Sequence, residues 1–216
     1  MCRIQVVEFR DLQLWDFKSN FFGTEIFKNP KFPLTKISEF LRRNKTQILV
    51  KDDEIYKRIT IKTKGQGIFL RDSLRGKNIG TKNQFLVKEG QFLISKIDAR
   101  NGAFGIATKE VDLGIITGNF WTYDIDTNAI NPHFLALLTT TKHFTELCEV
   151  CSSGSTNRHY LNEEKFLNTK IPLPLIDIQQ KIVQDIENLQ NQITELKRQI
   201  EICESKKQSI IEEFLW

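Results

Sequence analysis

The chain has 216 residues, of which 40% are hydrophobic and 16 are phenylalanine, and its net charge is +4. This apolar content is enough for a packed core and excludes a wholly disordered chain. No segment approaches the roughly 20 apolar residues of a membrane span, and the N-terminus lacks the apolar core of a signal peptide, so we expect a cytoplasmic protein without membrane contact.

Short β-strands are predicted over most of the first 125 residues. Residues 32–37 read as a strand or turn, followed by a short helix over residues 38–42. Alternation of apolar and polar residues predicts a strand from Glu54 to Ile61. Residues 84–90 and 91–96 read as two strands joined by a tight turn. Three more short strands are predicted at residues 102–107, 113–117 and 119–125.

Helices are predicted after this strand-rich part. Asn131 is a predicted N-cap, Pro132 suits the first turn, and the helix should run to about Val150. A second helix is expected over residues 161–167, capped by Asn162 or by the loop before it. The fold class is therefore α+β: a small bent β-sheet or partial barrel with flanking helices, followed by a long C-terminal coiled-coil helix.

The last segment carries a heptad pattern. Apolar residues recur at alternating intervals of four and three, interrupted only by Lys207, which is typical of a coiled coil. A helix over residues 178–215 would be about 55 Å long, so its apolar stripe needs a partner helix, although a helix folding back on its own domain stays an alternative. We predict a DNA-binding domain at residues 1–174 and a dimerisation or spacer helix at 175–216. The predicted dimer interface, called the seam below, consists of Ile182, Ile186, Leu189, Ile193, Leu196, Ile200, Cys203, Ile210 and Phe214.

Charge is distributed unevenly along the chain. Residues 175–216 contain five basic and eight acidic side chains and carry −3, so residues 1–174 carry +7. Such an asymmetry favours phosphate binding by the first part, with a merely soluble basic surface as the alternative. Eight basic residues, opposed between positions 57 and 82 only by Asp72, form this patch: Lys57, Arg58, Lys62, Lys64, Arg71, Arg75, Lys77 and Lys82.

The four cysteines are irregularly spaced and do not resemble a disulfide framework. Cys148 and Cys151 are flanked by His143 and His159, which leaves a zinc site as an alternative. Their spacing matches no familiar finger, however, so we expect reduced thiols and no metal.

No catalytic motif is present. The sequence lacks a glycine-rich cofactor loop, an Asp/Asn-Pro-Pro-aromatic methyltransferase motif, a Walker loop and a Gly-x-Ser-x-Gly elbow. Glu163 and Lys165 have the glutamate–x–lysine form of some nucleases, but no Pro-Asp partner accompanies them. We therefore expect a chain that binds and does not catalyse, and that needs no cofactor.

An ordered series of short motifs resembles the DNA specificity subunit of type I restriction–modification systems. The series covers nearly the whole chain: Tyr56–Lys62, Gly90–Ala107, Thr117–Trp121, Pro132–Leu135, Ser152–Arg158 and Ile171–Gln179. The resemblance implies a recognition domain that reads one half of a split DNA sequence, followed by a spacer helix. It implies methyltransferase partners that use S-adenosylmethionine, and motor-nuclease subunits that cleave unmodified DNA.

The chain departs from the family pattern of two recognition domains and two antiparallel helices, because it has one of each. We expect either a half-subunit that pairs with itself or a fragment of a two-domain subunit. Pairing of two copies through the seam predicts a palindromic, interrupted target. The alternatives are an interaction adaptor, whose coiled coil is its main binding surface, and more remotely a stand-alone nuclease.

Further candidate DNA contacts lie in two loops. Glycines at 102 and 105 allow the backbone to approach DNA closely, whereas Phe104, Phe120 and Trp121 are expected in the core. Beside the basic patch, the candidates are Ser95, Lys96, Arg100, Asn101, Ser153, Ser155, Thr156, Asn157 and Arg158.

Overall fold

The computed structural model describes residue 27, residues 30–154 and residues 159–215. Contacts divide the chain into two compact units, Met1–Ile176 and Asp177–Trp216. Five residues singled out in the sequence lie outside the described residues: Cys2, Ser155, Thr156, Asn157 and Arg158.

Thirteen strands are found among the described residues. In chain order, β1 to β13 are Leu34–Lys36, Leu41–Asn44, Gln47–Leu49, Ile55–Lys62, Gly67–Arg75, Asn83–Leu86, Phe92–Ser95, Phe104–Ile106, Ile115–Ile116, Phe120–Ile125, Ser152–Ser153, Tyr160–Leu161 and Lys170–Pro172. The α-helices of the same residues, α1 to α4, are Pro132–Thr139, Lys142–Val150, Glu163–Asn168 and Ile176–Leu215. Short 3-10 turns lie at Ile37–Glu39, Gly76–Asn78, Ala99–Asn101 and Lys109–Val111.

The predicted α+β class is confirmed, but the strands do not form a single bent sheet. Within the described parts of the chain, one sheet has five strands in the order β3-β6-β9-β4-β5, and another has four in the order β2-β10-β7-β8. Two small pairs, β1-β13 and β11-β12, complete the set. Neither larger sheet closes into a barrel.

A long antiparallel hairpin forms the edge of the five-stranded sheet. Strand β4 confirms the predicted strand, and it pairs with β5 from Ile55↔Arg75 to Lys62↔Gly67. A register shift lies between Arg58 and Ile59. Because side chains alternate along a strand, one face buries Ile59 and Ile61 in a core with residues such as Leu93. The opposite face is left for polar residues in the middle of the hairpin.

The four-stranded sheet packs against helices through aromatic rings. Phe144 of α2 lies edge-on to Phe104 at 5.0 Å between centroids, to Phe92 at 6.4 Å and to Phe166 of α3 at 6.3 Å. Edge-to-face packing at these distances is favourable beyond the burial of apolar area. The rings therefore attach both helices to the sheet.

The three aromatic residues assigned to the core lie as predicted or nearly so. Phe104 and Trp121 are buried, and half-buried Phe120 packs against the core of the hairpin sheet.

Two predicted helix N-caps are confirmed. The Asn131 side chain accepts hydrogen bonds from the backbone N–H groups of His133 and Phe134, and Pro132 occupies the first turn. Asn162 caps α3 through the N–H of Lys165. That helix begins later than predicted because Tyr160–Leu161 pairs as a strand with Ser152–Ser153.

The helix predicted from residue 132 to 150 is instead two helices. Three successive hydroxyls, of Thr139, Thr140 and Thr141, donate to the carbonyls three residues earlier. Thr141 then caps the next helix by accepting from the N–H of Phe144. Side-chain bonds to the backbone compete with helix continuation, which accounts for the interruption.

One other local prediction is wrong for a tertiary reason. Residues 38–42 contain one 3-10 turn and then β2, because Leu41–Asn44 pairs with β10. The two strands predicted within residues 84–96 are confirmed as Asn83–Leu86 and Phe92–Ser95, with a turn between them, but they lie in different sheets. The turn between them bonds elsewhere, with the N–H of Val87 donating to Gly114 and that of Gly90 to Ala107.

Candidate nucleic-acid interface

The exposed side of the β4-β5 hairpin, called the hairpin face, presents Arg58, Thr60, Lys62, Phe69 and Arg71. Thr60 lies opposite Phe69 in the register, and the Lys62 ammonium lies 4.4 Å from the centroid of the Phe69 ring. A cation above an aromatic face is attracted by the ring quadrupole. The hairpin face therefore combines cations, a hydroxyl and an aromatic ring on one ribbon.

Arg58 is held in place by Asp72 on the neighbouring strand. Its Nε donates to Asp72 Oδ1 at 2.7 Å and its Nη2 to Oδ2 at 2.6 Å. These hydrogen bonds lower the pKa of the Asp72 carboxyl and raise that of Arg58. Arg71 lies farther from the same carboxylate, with 3.7 Å between its Nε and Oδ2, and its side chain is 62% exposed. One arginine is thus oriented and the other is largely solvated.

An open groove of about 320 Å³ lies beside the hairpin face. Gln84 is buried in it, and its amide Nε2 donates to the carbonyl of Thr81 at 2.7 Å. Ile59, Ile115 and Phe120 contribute apolar lining. The polar lining of this sheet groove consists of Arg58, Thr60, Arg71, Thr81, Gln84 and Thr117.

Four of these polar residues were not among the sequence candidates. Thr60, Thr81, Gln84 and Thr117 lie in separate strands and loops, and only the sheet pairing brings them together. Alternation on β4 places Thr60 on the same side as Arg58 and Lys62, so that residue was within reach of sequence reasoning. The other three carried no such signal.

The tip of the hairpin contacts the turn after β7. The N–H of Lys64 donates to the carbonyl of Asn101 at 2.7 Å, and the N–H of Gly65 donates to that of Gly102 at 3.0 Å. Gly102 has a φ of +77°, and a Cβ there would lie 2.9 Å from the Gly65 nitrogen. This contact brings the candidates Lys64, Arg100 and Asn101 to one place.

The same turn is joined to two further loops through Lys96. Its N–H donates to the carbonyl of Asn119, and its own carbonyl accepts from the N–H of Leu161, both at 2.8 Å. Its ammonium lies 5.9 Å from the centroid of the Tyr160 ring. Residues 64, 96, 101 and 119 are called the loop cluster below. Ser153, another candidate, pairs with Tyr160 and is exposed.

Ser95 differs from the other loop candidates because it is buried. Its hydroxyl accepts a hydrogen bond from the N–H of Asp98 at 3.0 Å. Asn101 donates to the Asp98 carboxylate at 3.1 Å through its side-chain amide. Ser95 thus supports the turn that presents Lys96 and Asn101.

The eight residues of the basic patch do not share one face. Lys82 donates to Asp52 at 2.6 Å and to the carbonyl of Gly76 at 2.7 Å. Lys57 reaches the carbonyls of Glu110 and Asp112 at 3.4 Å, on the side of the hairpin opposite Arg58. Exposed Arg75 and Lys77 lie near the end of the hairpin away from its tip.

Another arginine, Arg43, makes its contacts inside the domain. Its Nη1 donates to the carbonyls of Asn44 and Thr122 at 3.0 Å, and its Nε forms an ion pair with Glu163 at 3.0 Å. Its guanidinium lies 5.6 Å from the ring centroid of Trp121 and 5.5 Å from that of Tyr123.

Burial changes the pKa values of the side chains around Glu163. Desolvation lowers the pKa of Arg43 and raises that of Tyr123, whose hydroxyl donates to Glu163 at 3.2 Å. Glu163, half of the glutamate–x–lysine pair of the nuclease alternative, thus links α3 to the four-stranded sheet.

The cysteines near the histidines do not assemble a metal site in the described part of the chain. Cys148 and Cys151 are buried, and the Cys151 sulfur lies 3.3 Å from the Thr169 hydroxyl. His143 stacks on Phe27 at 6.1 Å between centroids. No three His, Cys, Asp or Glu side chains among the described residues are grouped for a metal ion.

The C-terminal unit is a single helix whose side chains are exposed from Glu187 to Leu215. Its seam residues are exposed from Leu189 onward, with Leu189 at 54% and Phe214 at 82% of full exposure, whereas Ile182 and Ile186 are half-buried. Among the helices of the described residues, none combines the length and apolarity needed to cross a membrane.

Comparison with solved structures shows the same fold in two other proteins. The HsdS subunit from Thermoanaerobacter tengcongensis matches with a TM-score of 0.60 at 16% identity, over 79% of this chain and 45% of that one. A chain from a study of complex assembly and conformational transition of the type I R-M system matches with a TM-score of 0.64 at 16% identity, over 80% and 45%. The present chain therefore spans less than half the length of either.

Sequence comparisons give one match and one negative result. No curated protein matches the chain. The family model described as type I restriction modification DNA specificity domain matches residues 28–204, which is most of the chain. The chain therefore belongs to the family of type I restriction–modification DNA specificity domains.

Proposed function

We propose that this chain is a sequence-specific DNA-binding specificity subunit that reads one half-site of a split target. The observation that carries the proposal is the hairpin face, where Arg58, Lys62 and Arg71 stand beside a groove with a polar lining. Family membership gives the proposal its context. Cations neutralise phosphates, whereas hydroxyls, amides and oriented arginines distinguish base edges.

The loop cluster extends this surface. Lys64, Lys96 and Asn101 carry donors suited to phosphates and bases, and backbone hydrogen bonds hold their loops together. Lys57 and Lys82 contribute less, because their ammonium groups already have partners within the domain. The proposed interface is therefore the hairpin face with the loop cluster.

The second unit sets the spacing between half-sites in this proposal. The exposed seam needs a partner helix, and an equivalent helix of a second copy supplies the same heptad spacing. Two copies related by a two-fold axis would read a palindromic, interrupted target. Partner methyltransferase subunits would bind S-adenosylmethionine and methylate adenine in the cytoplasm, and motor-nuclease subunits would cut unmodified DNA. The chain itself would be non-catalytic.

The proposal is tested by selecting duplexes from a random-sequence pool with the full chain. Affinity for the selected duplex is then measured by fluorescence anisotropy at several salt concentrations. Binding should prefer one sequence and should fall steeply with salt, because bound phosphates release counterions. A chain that enriches no sequence overturns the proposal.

A triple charge reversal connects the binding to the hairpin. Lys62→Glu, Lys64→Glu and Arg71→Glu together should weaken binding by more than a hundredfold at low salt. The matched control, Lys181→Glu, Lys197→Glu and Lys206→Glu, makes the same charge change in the other unit and should leave most of the affinity. Unchanged affinity in the hairpin variant contradicts this interface.

The second candidate function, an interaction adaptor, is favoured by the exposed seam alone. It predicts that a polar substitution at Ile186, Leu189 or Ile193 removes a protein partner while the hairpin variant behaves like the wild type. Sequence-selective DNA binding by the wild-type chain favours the specificity subunit instead.

A further inference from the structure

Arg58 and Arg71 differ although both line the sheet groove. Arg58 is held by two short hydrogen bonds to Asp72, and its side chain is only 27% exposed. Arg71 is exposed and lies 3.7 Å from the same carboxylate. Their positions suit two different tasks on DNA.

The geometry of the Arg58 pair leaves a defined set of donors. A guanidinium has five N–H groups, and the Asp72 carboxylate accepts from Nε and from Nη2. This side-on pairing leaves the outer edge, with one hydrogen on Nη1 and one on Nη2 directed side by side. In the described part of the chain, no other hydrogen bond of Arg58 is found. The open edge matches a pair of acceptors a short distance apart.

Charge argues against phosphate neutralisation as the main task of Arg58. The Arg58–Asp72 pair is neutral as a unit, because its pairing keeps the carboxyl ionised at ordinary pH. A neutral pair gains little from the phosphate backbone, where net positive charge determines affinity. Directional hydrogen bonding is what an oriented, neutral pair offers. Arg71, solvated and less constrained, suits a phosphate.

We infer that Arg58, oriented by Asp72, reads the O6 and N7 acceptors of a guanine in the major groove, and that Asp72 is its positioning residue. The inference rests on the proposed function and adds the identity of one base that the chain recognises. A two-stranded ribbon fits the major groove, and guanine is the base that presents two acceptors to an arginine there. The β4-β5 hairpin supplies such a pair of strands at the edge of its sheet, and β9 lies beside β4 at Arg58↔Ile115.

The test replaces each guanine of the selected half-site, one at a time, by 7-deazaguanine. This analogue lacks the N7 acceptor but keeps Watson–Crick pairing. For the full wild-type chain, one position should weaken binding about tenfold by fluorescence anisotropy. The Arg58→Ala variant should bind the target at least about tenfold more weakly than the wild-type chain does. In this variant the 7-deaza substitution at the sensitive position should cause no further loss of affinity.

Three variants separate reading from folding and from general charge. Arg58→Lys keeps the cation but loses the paired edge, so it should reduce the 7-deaza effect while retaining the thermal unfolding midpoint, because an ammonium can still donate to a guanine acceptor. Asp72→Ala should reduce the preference for target over scrambled DNA several-fold, while its affinity for scrambled DNA does not fall. Arg71→Ala should weaken binding to both duplexes alike and keep the 7-deaza effect. It should also lower the slope of log affinity against log salt concentration by about one.

Two results overturn the inference while leaving the proposed function intact. In the first, the wild-type chain selects a target but no guanine shows sensitivity to loss of N7. In the second, a sensitive guanine exists but its full penalty persists in Arg58→Ala. Absence of any sequence preference in the wild type is a different outcome, which overturns the proposed function itself.

Discussion

Arginines in this domain perform different tasks according to what surrounds them. Arg43 is enclosed by two aromatic rings, a glutamate and two carbonyls. Arg58 is oriented by one carboxylate at the edge of a groove, and Arg71 projects into solvent. Sequence shows three arginines of equal charge. Burial and pairing decide that the first serves the fold and the other two are available for DNA.

Replacing Arg43 should destabilise the domain. Arg43→Ala removes the cation paired with the half-buried Glu163 carboxylate and one donor to the carbonyls of Asn44 and Thr122, so the free energy of unfolding should fall by about 3 kcal/mol. The matched control is Arg42→Ala, because Arg42 is the exposed neighbour on the same strand, and it should change the value by less than about 0.5 kcal/mol. Urea unfolding followed by circular dichroism measures both. Equal effects of the two substitutions would contradict the role of the Arg43 network.

The hairpin tip and the turn after β7 form one joint between the two larger sheets. Two backbone hydrogen bonds hold it, and the absence of a side chain at Gly102 permits the approach. The candidate residues Lys64 and Asn101 keep their relative positions through this joint. Local sequence indicates glycine-rich turns here, but it does not show that they meet.

Substitution of Gly102 at the joint should lower the free energy of unfolding by more than the left-handed backbone conformation alone explains. Gly102→Ala adds a Cβ 2.9 Å from the Gly65 nitrogen at a φ of +77°. Its destabilisation should be about 2–3 kcal/mol, because strain and the clash add. Gly65→Ala is the control, since its φ of +67° is similar but no atom lies within 4 Å of the added Cβ, and about 1 kcal/mol is expected there. Thermal unfolding of both variants tests the difference, and equal losses would exclude a tight contact at Gly102.

The long helix gives the protein a surface that its own unit does not cover. From Leu189 onward each heptad exposes apolar seam residues, and nothing else in this unit packs on them. Burial of such a stripe is favourable at about 25 cal/mol per Å² of apolar area. A second helix is the partner with matching periodicity, which supports the proposed pairing of two copies.

Self-association should therefore depend on the seam. The wild-type chain should show twice its 25.2 kDa mass by light scattering coupled to size exclusion. Leu189→Glu with Ile193→Glu should give the single-chain mass, because like charges would face each other in the buried seam. The control pair, Asn188→Glu with Asn191→Glu, adds the same charge on the side of the helix away from the seam and should stay dimeric. A seam variant that keeps the double mass would place the interface elsewhere.

Local chemistry in the sequence predicted several elements correctly. Asn131 and Asn162 cap helices because their side chains bond the first free N–H groups, and alternation identified β4. The heptad spacing predicted the C-terminal helix. These features depend on residues a few positions apart in the chain, so the sequence alone predicts them. The family could be identified from ordered motifs for the same reason.

Long-range pairing settled what the sequence left open. Residues 38–42 became a turn and a strand because β10 offers a partner, and β6 and β7 separated because their turn bonds to other loops. The basic patch divided among different surfaces, and Thr60, Gln84 and Thr117 joined Arg58 in a groove. Adding a strand to a sheet depends on residues far away in the chain, and a groove depends on several such additions at once. Composition and spacing therefore indicated a DNA-binding chain, whereas the positions of its candidate contacts followed from packing.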